Sequence, residues 1–537
     1  MLQGAAALLA VLYLNTALAF QNLWPTPWPR PALELGLELL LLLGVLAVLR
    51  TRGIRLGRRG RGLLAAIFLL ASVLRYIEVS APPLFGRALN LYWDLRHLPN
   101  LLELFWRTVP AVSILLIGLA VLILLSVVFL LNRAALATVD RALTDGGLRR
   151  IAMALPVLAA MMLAISLIPG LDGLRRAYAI PVSVIAGKHV MQVAEAVRLL
   201  GAEPAVRDAL LGPPLPETAD LSGLQGDDLL VVFLESYGAT LFDTPDYAEA
   251  LQAPLDGLEQ RLAAAGWYSA SRRVISPTFG GGSWLAHGAL LGGAHLTDQT
   301  RYNLFLSAGR STLVRLFGAA GYRTVAVLPG TQRLWPEGEA FGFDAIYDAE
   351  ALGYPGPDFG YWRIPDQFTL HRFRELELAT PRDPLFALVV LITTHMPFHP
   401  LPPYVADWSR LGDGTAYDAA ATAALVEQEV DWDSLGERYV DSMSRSLRIL
   451  GDFLATAVPD DALVVLLGDH QPPALVAGKK QPWSVPIHLL SKDPVRLHGF
   501  LERGYRPGLK PPPEDDALMA GFARDVLAVF GAVSRSE

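Results

Sequence analysis

Five apolar stretches occupy the first third of the chain, at residues 2–20, 32–49, 63–79, 108–131 and 151–168. Each runs for roughly 17 to 24 residues, near the length a helix needs to cross a bilayer. In lipid a backbone must satisfy its own hydrogen bonds, which confines such stretches to helices. The first has no basic segment ahead of it and further spans follow, so it reads as an anchor rather than a cleaved leader. Over the whole chain 52% of residues are hydrophobic and 18% are charged, too apolar a balance for an ordinary soluble enzyme. The net charge of -7 provides no global basic surface for nucleic acid. The absence of cysteine excludes disulfides and thiolate metal ligands.

Arginine sets the expected orientation. The connection after the second span holds Arg50, Arg52, Arg55, Arg58, Arg59 and Arg61, and the one after the fourth holds Arg133, Arg141, Arg149 and Arg150. The connection after the first has only Arg30, and the longer one after the third has Arg87, Arg96 and Arg107. The positive-inside rule therefore predicts an N-terminus inside and everything beyond residue 168 outside. Trp24 and Trp28 suit an interfacial aromatic belt. The stretch 84–106 looks amphipathic and is expected on the outer surface. Glu34, Glu38, Arg75 and Glu78 lie in or near spans, and we read them as paired or snorkelling rather than as a transport path.

The expected domains are a five-helix membrane domain at 1–169, a juxtamembrane linker at 170–226, an extracytoplasmic domain at 227–500 and a C-terminal helical tail at 501–537. The Pro- and Gly-rich residues 212–226 mark the sharpest boundary. Beyond them, short apolar runs alternate with helix-like segments, which predicts an α/β domain with a mainly parallel sheet flanked by helices. The run 462–472 reads A-L-V-V-L-L-G-D-H-Q-P, a strand buried on both faces that stops at Gly468 and delivers Asp469 and His470. Two further strands end at Glu235 and at His395, and a fourth ends near Pro329. Chemistry in open α/β sheets gathers beyond the carboxyl ends of the strands. Carboxylates and an imidazole collected there suit a divalent cation.

Between the first two of these strands lies S-P-T-F-G-G-G-S-W-L-A-H. Gly280, Gly281 and Gly282 let backbone approach a ligand closely, and Ser283 begins a small apolar helix. A serine there is an N-cap, or a nucleophile beside an anion site. The residues leave both open. His287, one helical turn on, either packs or polarises the site.

These pieces resemble the sulfatase-like branch of the alkaline phosphatase superfamily. Within it the chain is most similar to lipoteichoic acid synthases and to the phosphoglycerol transferases of periplasmic glucan synthesis. The matching segments, in family order, are F-L-E-S-Y-G, G-G-G-S-W, T-T-H-M-P-F and G-D-H-Q-P, supported by F-G-F-D at 341–344, W-R-I-P-D at 362–366 and R-Y-V-D at 438–441. The resemblance implies one divalent cation, Mn²⁺ with Mg²⁺ or Zn²⁺ as alternatives, held by Glu235, Ser283, Asp469 and His470. It implies Ser283 as nucleophile, where the family usually has threonine, and His395 on the substrate phosphate or its leaving oxygen. Trp335 falls in the family's glycerol-phosphate pocket. Glu337 stands where the family has arginine, and Arg333 is the candidate to replace that charge.

The implied activity is transfer of a lipid headgroup phosphoryl, on the outer face of a bacterial cytoplasmic membrane, through a phosphoserine. Phosphatidylglycerol is the expected donor and a glycan or other hydroxyl the acceptor. Sulfatases of this branch use a formylglycine within a C/S-x-P/A-x-R signature, which W-L-A-H after Ser283 does not supply. The alternatives are a phosphoethanolamine transferase, a phosphodiesterase or sulfatase-type hydrolase, and an inactive membrane scaffold or sensor.

Overall fold

Every predicted apolar stretch overlaps a helix of the computed structural model: Leu2–Ala19, Leu37–Thr51, Arg58–Phe85, Ala111–Ala142 and Gly146–Ser166. The structure describes residues 2–23, 26, 28–85, 95, 106, 110–166, 179–201, 204–331, 335, 337–359, 363–380, 382–412, 415–428, 433–478, 481–513 and 517–531. The chain divides into two units, Met1–Val197 and Arg198–Glu537. Trp24 and nearly all of the amphipathic stretch 84–106 lie outside the described residues.

In the N-terminal unit, three described helices are long and apolar enough to cross a membrane: Arg58–Ala81, Ala111–Ala142 and Gly146–Ala164. Gly4–Ala19 is a shorter apolar helix, and Leu37–Thr51 has 15 residues. The latter starts later than expected because Asn15 holds the preceding chain extended. Its side chain donates to Glu34 O at 2.8 Å and accepts from Gly36 N at 2.8 Å. The charged groups near the spans end in partners, as lipid requires. Arg75 lies 3.9 Å from Glu34, Glu78 lies 2.8 Å from Lys188, and Glu38 accepts from Ser183 N at 3.0 Å. Arg50 and Asp140 form a nearly buried pair at 2.8 Å. By contrast Leu115, Leu119, Leu122, Ile123 and Leu130 stand exposed along one helix, an apolar surface suited to lipid rather than water.

The C-terminal unit is built on a sheet of eight strands among the described residues. In chain order they are β1 (Leu229–Leu234), β2 (Tyr268–Ile275), β3 (Arg323–Leu328), β4 (Ala345–Asp348), β5 (Leu385–Leu391), β6 (Leu463–Gly468), β7 (Ser484–Ser491) and β8 (Arg506–Pro507). They lie in the order β8-β2-β7-β6-β1-β5-β3-β4. The run from β6 to β4 is parallel, whereas β7, β2 and β8 join antiparallel. The four strands legible in the sequence are β1, β3, β5 and β6. The others carry less apolar signal: Arg272 and Arg273 interrupt β2, and Pro486 and His488 interrupt β7.

Period-two alternation divides β1 between two cores. Leu229, Val231 and Phe233 join one apolar cluster, and Leu230, Val232 and Leu234 join the other. The sheet is therefore covered on both faces, as parallel sheets are. The helices Pro245–Ala264 and Leu435–Thr456 pack on the second face, burying Leu251, Leu255, Leu258, Tyr439, Leu447 and Leu450.

Described residues beyond 500 pack on the same sheet and core. Arg506 and Pro507 pair with Ser271 and Ala270 of β2. The helix Phe522–Phe530 buries Phe522, Val526 and Phe530 in the first core. Truncating a buried phenylalanine removes transfer free energy and leaves a cavity. Phe522→Ala should destabilise the unit by about 3 kcal/mol or more, measured by its unfolding transition; an unchanged transition would detach this helix from the core.

Candidate active site

The sheet register brings three chain segments to one level. Leu234, the last residue of β1, pairs with Gly468 of β6 on one side and Leu391 of β5 on the other. Glu235, Asp469 and the turn leading to His395 therefore leave the sheet next to one another. Gly468 tolerates no side chain, since a Cβ there would sit 1.9 Å from Tyr237 O.

Backbone amides fix Asp469. Ser236 enters the left-handed region (φ 59°), where its N–H donates to Asp469 Oδ1 at 2.8 Å. His470 N donates to the same oxygen at 2.7 Å. Tyr439, from R-Y-V-D, clamps this turn by donating to Ser236 O at 2.7 Å and accepting from Gly238 N at 3.3 Å. Thr394 Oγ1 donates to Glu235 O at 2.5 Å and ties in the turn after β5.

Gly280, Gly281 and Gly282 take φ values of 66°, 141° and 81°, a succession that only glycine adopts readily. Gly280 N donates to Gln471 O at 3.1 Å, anchoring this loop to the segment that carries Asp469 and His470. The loop leads into the helix Ser283–Gly292, with Gly282 at the N-cap position and no side-chain cap. Ser283 is thus not the cap. Its Oγ donates to Glu235 Oε2 at 3.1 Å and lies 3.2 Å from His470 Nε2.

Glu235, Asp469 and His470 are buried, and their ligand atoms lie within 4.8 Å of one another. His470 Nδ1 is 2.8 Å from Gln471 O, which makes Nδ1 the donor. Nε2 then faces Glu235 Oε1 at 3.2 Å and Asp469 Oδ2 at 3.4 Å. Asp469 Oδ2 is buried with no hydrogen-bond partner among the described residues. A lone pair aimed at two carboxylates is satisfied only by a proton or a cation. Three oxygen donors and one imidazole fit a divalent cation of hard or borderline character.

Burial alone lowers the His470 imidazolium, but Asp469 and Glu235 outweigh it and push it up to about 9. Burial and the charge of Glu235 raise the Asp469 carboxyl. Burial opposes ionisation of Glu235 as well, yet the adjacent His470 holds it well below the usual carboxylate range.

His395 follows β5 and lies in the field of Glu235 and His470. Burial lowers its imidazole and Glu235 opposes that shift; Nδ1 bonds Met396 O at 2.6 Å. Trp335 is half-buried, stacked on Phe341 at 5.8 Å and beside Phe343 at 6.3 Å. Arg333 lies outside the described residues. His399 bonds Leu425 O at 2.9 Å. Asp366, from W-R-I-P-D, accepts from Ile392 N at 2.7 Å and Thr393 N at 3.0 Å, which shapes the turn before His395. The sequence flagged the segments holding Tyr439 and Asp366, but which backbone groups they clamp is visible only in three dimensions.

The pH dependence of cation binding tests the ligand set. Without a cation, His470 keeps its proton up to about pH 9. A cation that takes Nε2 must release it, so binding strengthens as pH rises toward that value. Titration calorimetry with Mn²⁺ should show affinity rising about tenfold per pH unit between roughly pH 6 and 8. An affinity flat over that range would remove His470 from the ligands.

Residues 294–487 match the family model described as Sulfatase. No curated protein matches the chain. Among solved structures, the lipoteichoic acid synthase LtaP of Listeria monocytogenes is similar at 16% identity and TM-score 0.37, covering 60% of this chain and 81% of that one. The Streptococcus pyogenes phosphoglycerol transferase GacH, in complex with sn-glycerol-1-phosphate, is similar at 11% identity and TM-score 0.35, covering 63% and 90%. The C-terminal periplasmic domain of EcEptC from Escherichia coli is similar at 15% identity and TM-score 0.35, covering 52% and 75%. The C-terminal unit, with its mostly parallel sheet and the matched residues 294–487, carries a sulfatase-like enzyme domain.

Proposed function

We propose that this chain is a membrane-bound, metal-dependent phosphoglycerol transferase that works through a covalent phosphoserine. The observation that carries the reading is the Ser283 hydroxyl, held 3.1 Å from Glu235 and 3.2 Å from His470 at the start of a helix. Glu235, Ser283, Asp469 and His470 would hold the cation, Mn²⁺ first and Mg²⁺ or Zn²⁺ as alternatives. When bound, the cation supplies charge neutralisation and a lowered hydroxyl pKa.

Ser283 Oγ forms a bond to the phosphorus of phosphatidylglycerol as the bond from phosphorus to the diacylglycerol oxygen breaks. The positive end of the helix dipole at Ser283 favours the phosphoryl charge. His395, neutral through burial, accepts the serine proton and returns it to the departing diacylglycerol alkoxide, which conserves protons. An acceptor hydroxyl, from a glycan or from water, then attacks the phosphorus as its bond to Ser283 Oγ breaks, and the acceptor's proton passes by way of His395 to Ser283. Trp335 and Arg333 are proposed to line the headgroup side. The apolar helices are proposed to cross the bacterial cytoplasmic membrane five times, with the N-terminus inside and the catalytic domain outside. Tethering beside a lipid donor raises its effective concentration.

The test incubates the full chain with labelled phosphatidylglycerol and Mn²⁺ beside Ser283→Ala, with phosphatidylethanolamine in parallel. Wild type should release diacylglycerol and show a phosphoglyceryl adduct on Ser283 by mass spectrometry. Ser283→Ala should lose about a thousandfold or more of the rate. Turnover by the alanine variant at the wild-type rate refutes the nucleophile. Preferential release from phosphatidylethanolamine moves the headgroup to phosphoethanolamine, and release without transfer makes the enzyme a phosphodiesterase.

A further inference from the structure

His287 takes no part in the cluster formed by Glu235, Asp469 and His470, yet three observations tie it to the same site. It lies four residues after Ser283 on one helix, hence on the same face. Helical side chains lean toward the N-terminus, which carries its ring over the turn that begins with Ser283. Its ring also packs on Phe233, with centroids 4.5 Å apart. Phe233 is two residues before Glu235, on the same face of the chain.

The third observation is an unmet polar atom. His287 Nε2 is buried and has no hydrogen-bond partner among the described residues. A buried orphan costs free energy and calls for an absent partner. Burial pushes the imidazole down to about 4, with Glu235 opposing and His470 reinforcing. The ring is therefore neutral near pH 7 and has one N–H to donate.

We propose that His287 is a phosphoryl-binding residue, donating from Nε2 to a non-bridging oxygen of the phosphoryl group at Ser283 without ligating the cation. This deepens the function proposed above and rests on it. A neutral donor suits that position, because the cation and the helix start already supply positive charge. A donor already desolvated in the folded protein loses little on meeting the phosphoryl oxygen. Packing on Phe233 fixes the ring, so little rotamer freedom is lost on binding.

The experiment uses the full chain in detergent, loaded with Mn²⁺, and inorganic phosphate as the probe. His287→Phe keeps a ring on Phe233 and removes the donor; His287→Gln restores a donor of similar reach. Calorimetry should find phosphate binding weakened about ten- to a hundredfold in His287→Phe and mostly recovered in His287→Gln. Mn²⁺ affinity should stay within about threefold of wild type in both, since no ligand is lost. Phosphate affinity indifferent to His287→Phe overturns the proposal, as does wild-type protein that binds no phosphate. Mn²⁺ affinity falling by more than about tenfold overturns it too, by making the residue a ligand or a prop for one. Failure of the parent reading looks different: wild type then forms no adduct on Ser283 with labelled lipid, whatever the phosphate titration gives.

Discussion

Two carboxylates, Glu235 and Asp469, are buried side by side at the ends of adjacent parallel strands, and the rest of the site is arranged around that repulsion. Like charges out of water destabilise one another strongly unless positive charge lies between them. Here the imidazole of His470 stands between them, 3.2 Å from one acid and 3.4 Å from the other. Its far nitrogen is committed to a backbone carbonyl, so the near one must meet the acids. Amide donors from Ser236 and His470 settle one oxygen of Asp469 and leave the other with no hydrogen-bond partner among the described residues. That imbalance is what a cation site looks like before the cation is considered.

The fold holds this unfavourable group through parts that have no direct share in the chemistry. Tyr439 clamps the turn after Glu235, Thr394 ties the neighbouring turn to the Glu235 carbonyl, and Asp366 shapes the start of that turn. Left-handed backbone at Ser236 is strain that a well-packed surrounding sustains. The two apolar clusters on either face of the sheet supply that packing. A serine at the start of a helix then meets the acids because the glycine loop before it is bonded to the Gln471 carbonyl.

The N-terminal unit follows a different rule. Among its described residues, charged side chains such as Arg50 and Asp140 are paired within the unit, while many apolar ones, Leu115 and Leu122 among them, stand exposed. This inverts the usual arrangement in water and fits helices whose surroundings are lipid.

How much of this was legible depended on the range of the interaction concerned. Strands β1, β3, β5 and β6 were readable because burial on both faces writes an unbroken apolar run. The residues ending them, Glu235, Asp469 and His470, stood out for the same reason, as did the apolar helices. Strands β2 and β7 were not readable, since polar residues interrupt both and their partners lie far along the chain. Whether Ser283 capped its helix or faced the acids also lay beyond local pattern. A cap and a nucleophile have the same neighbours in sequence, and only the placement of residue 283 against residues 235 and 470 separates them. Sequence by itself determined which segments must be helical or strand-like, because hydrophobic periodicity is local. Tertiary structure decided which side chains meet, because the sheet register that sets Leu234 beside Gly468 and Leu391 joins residues more than a hundred positions apart.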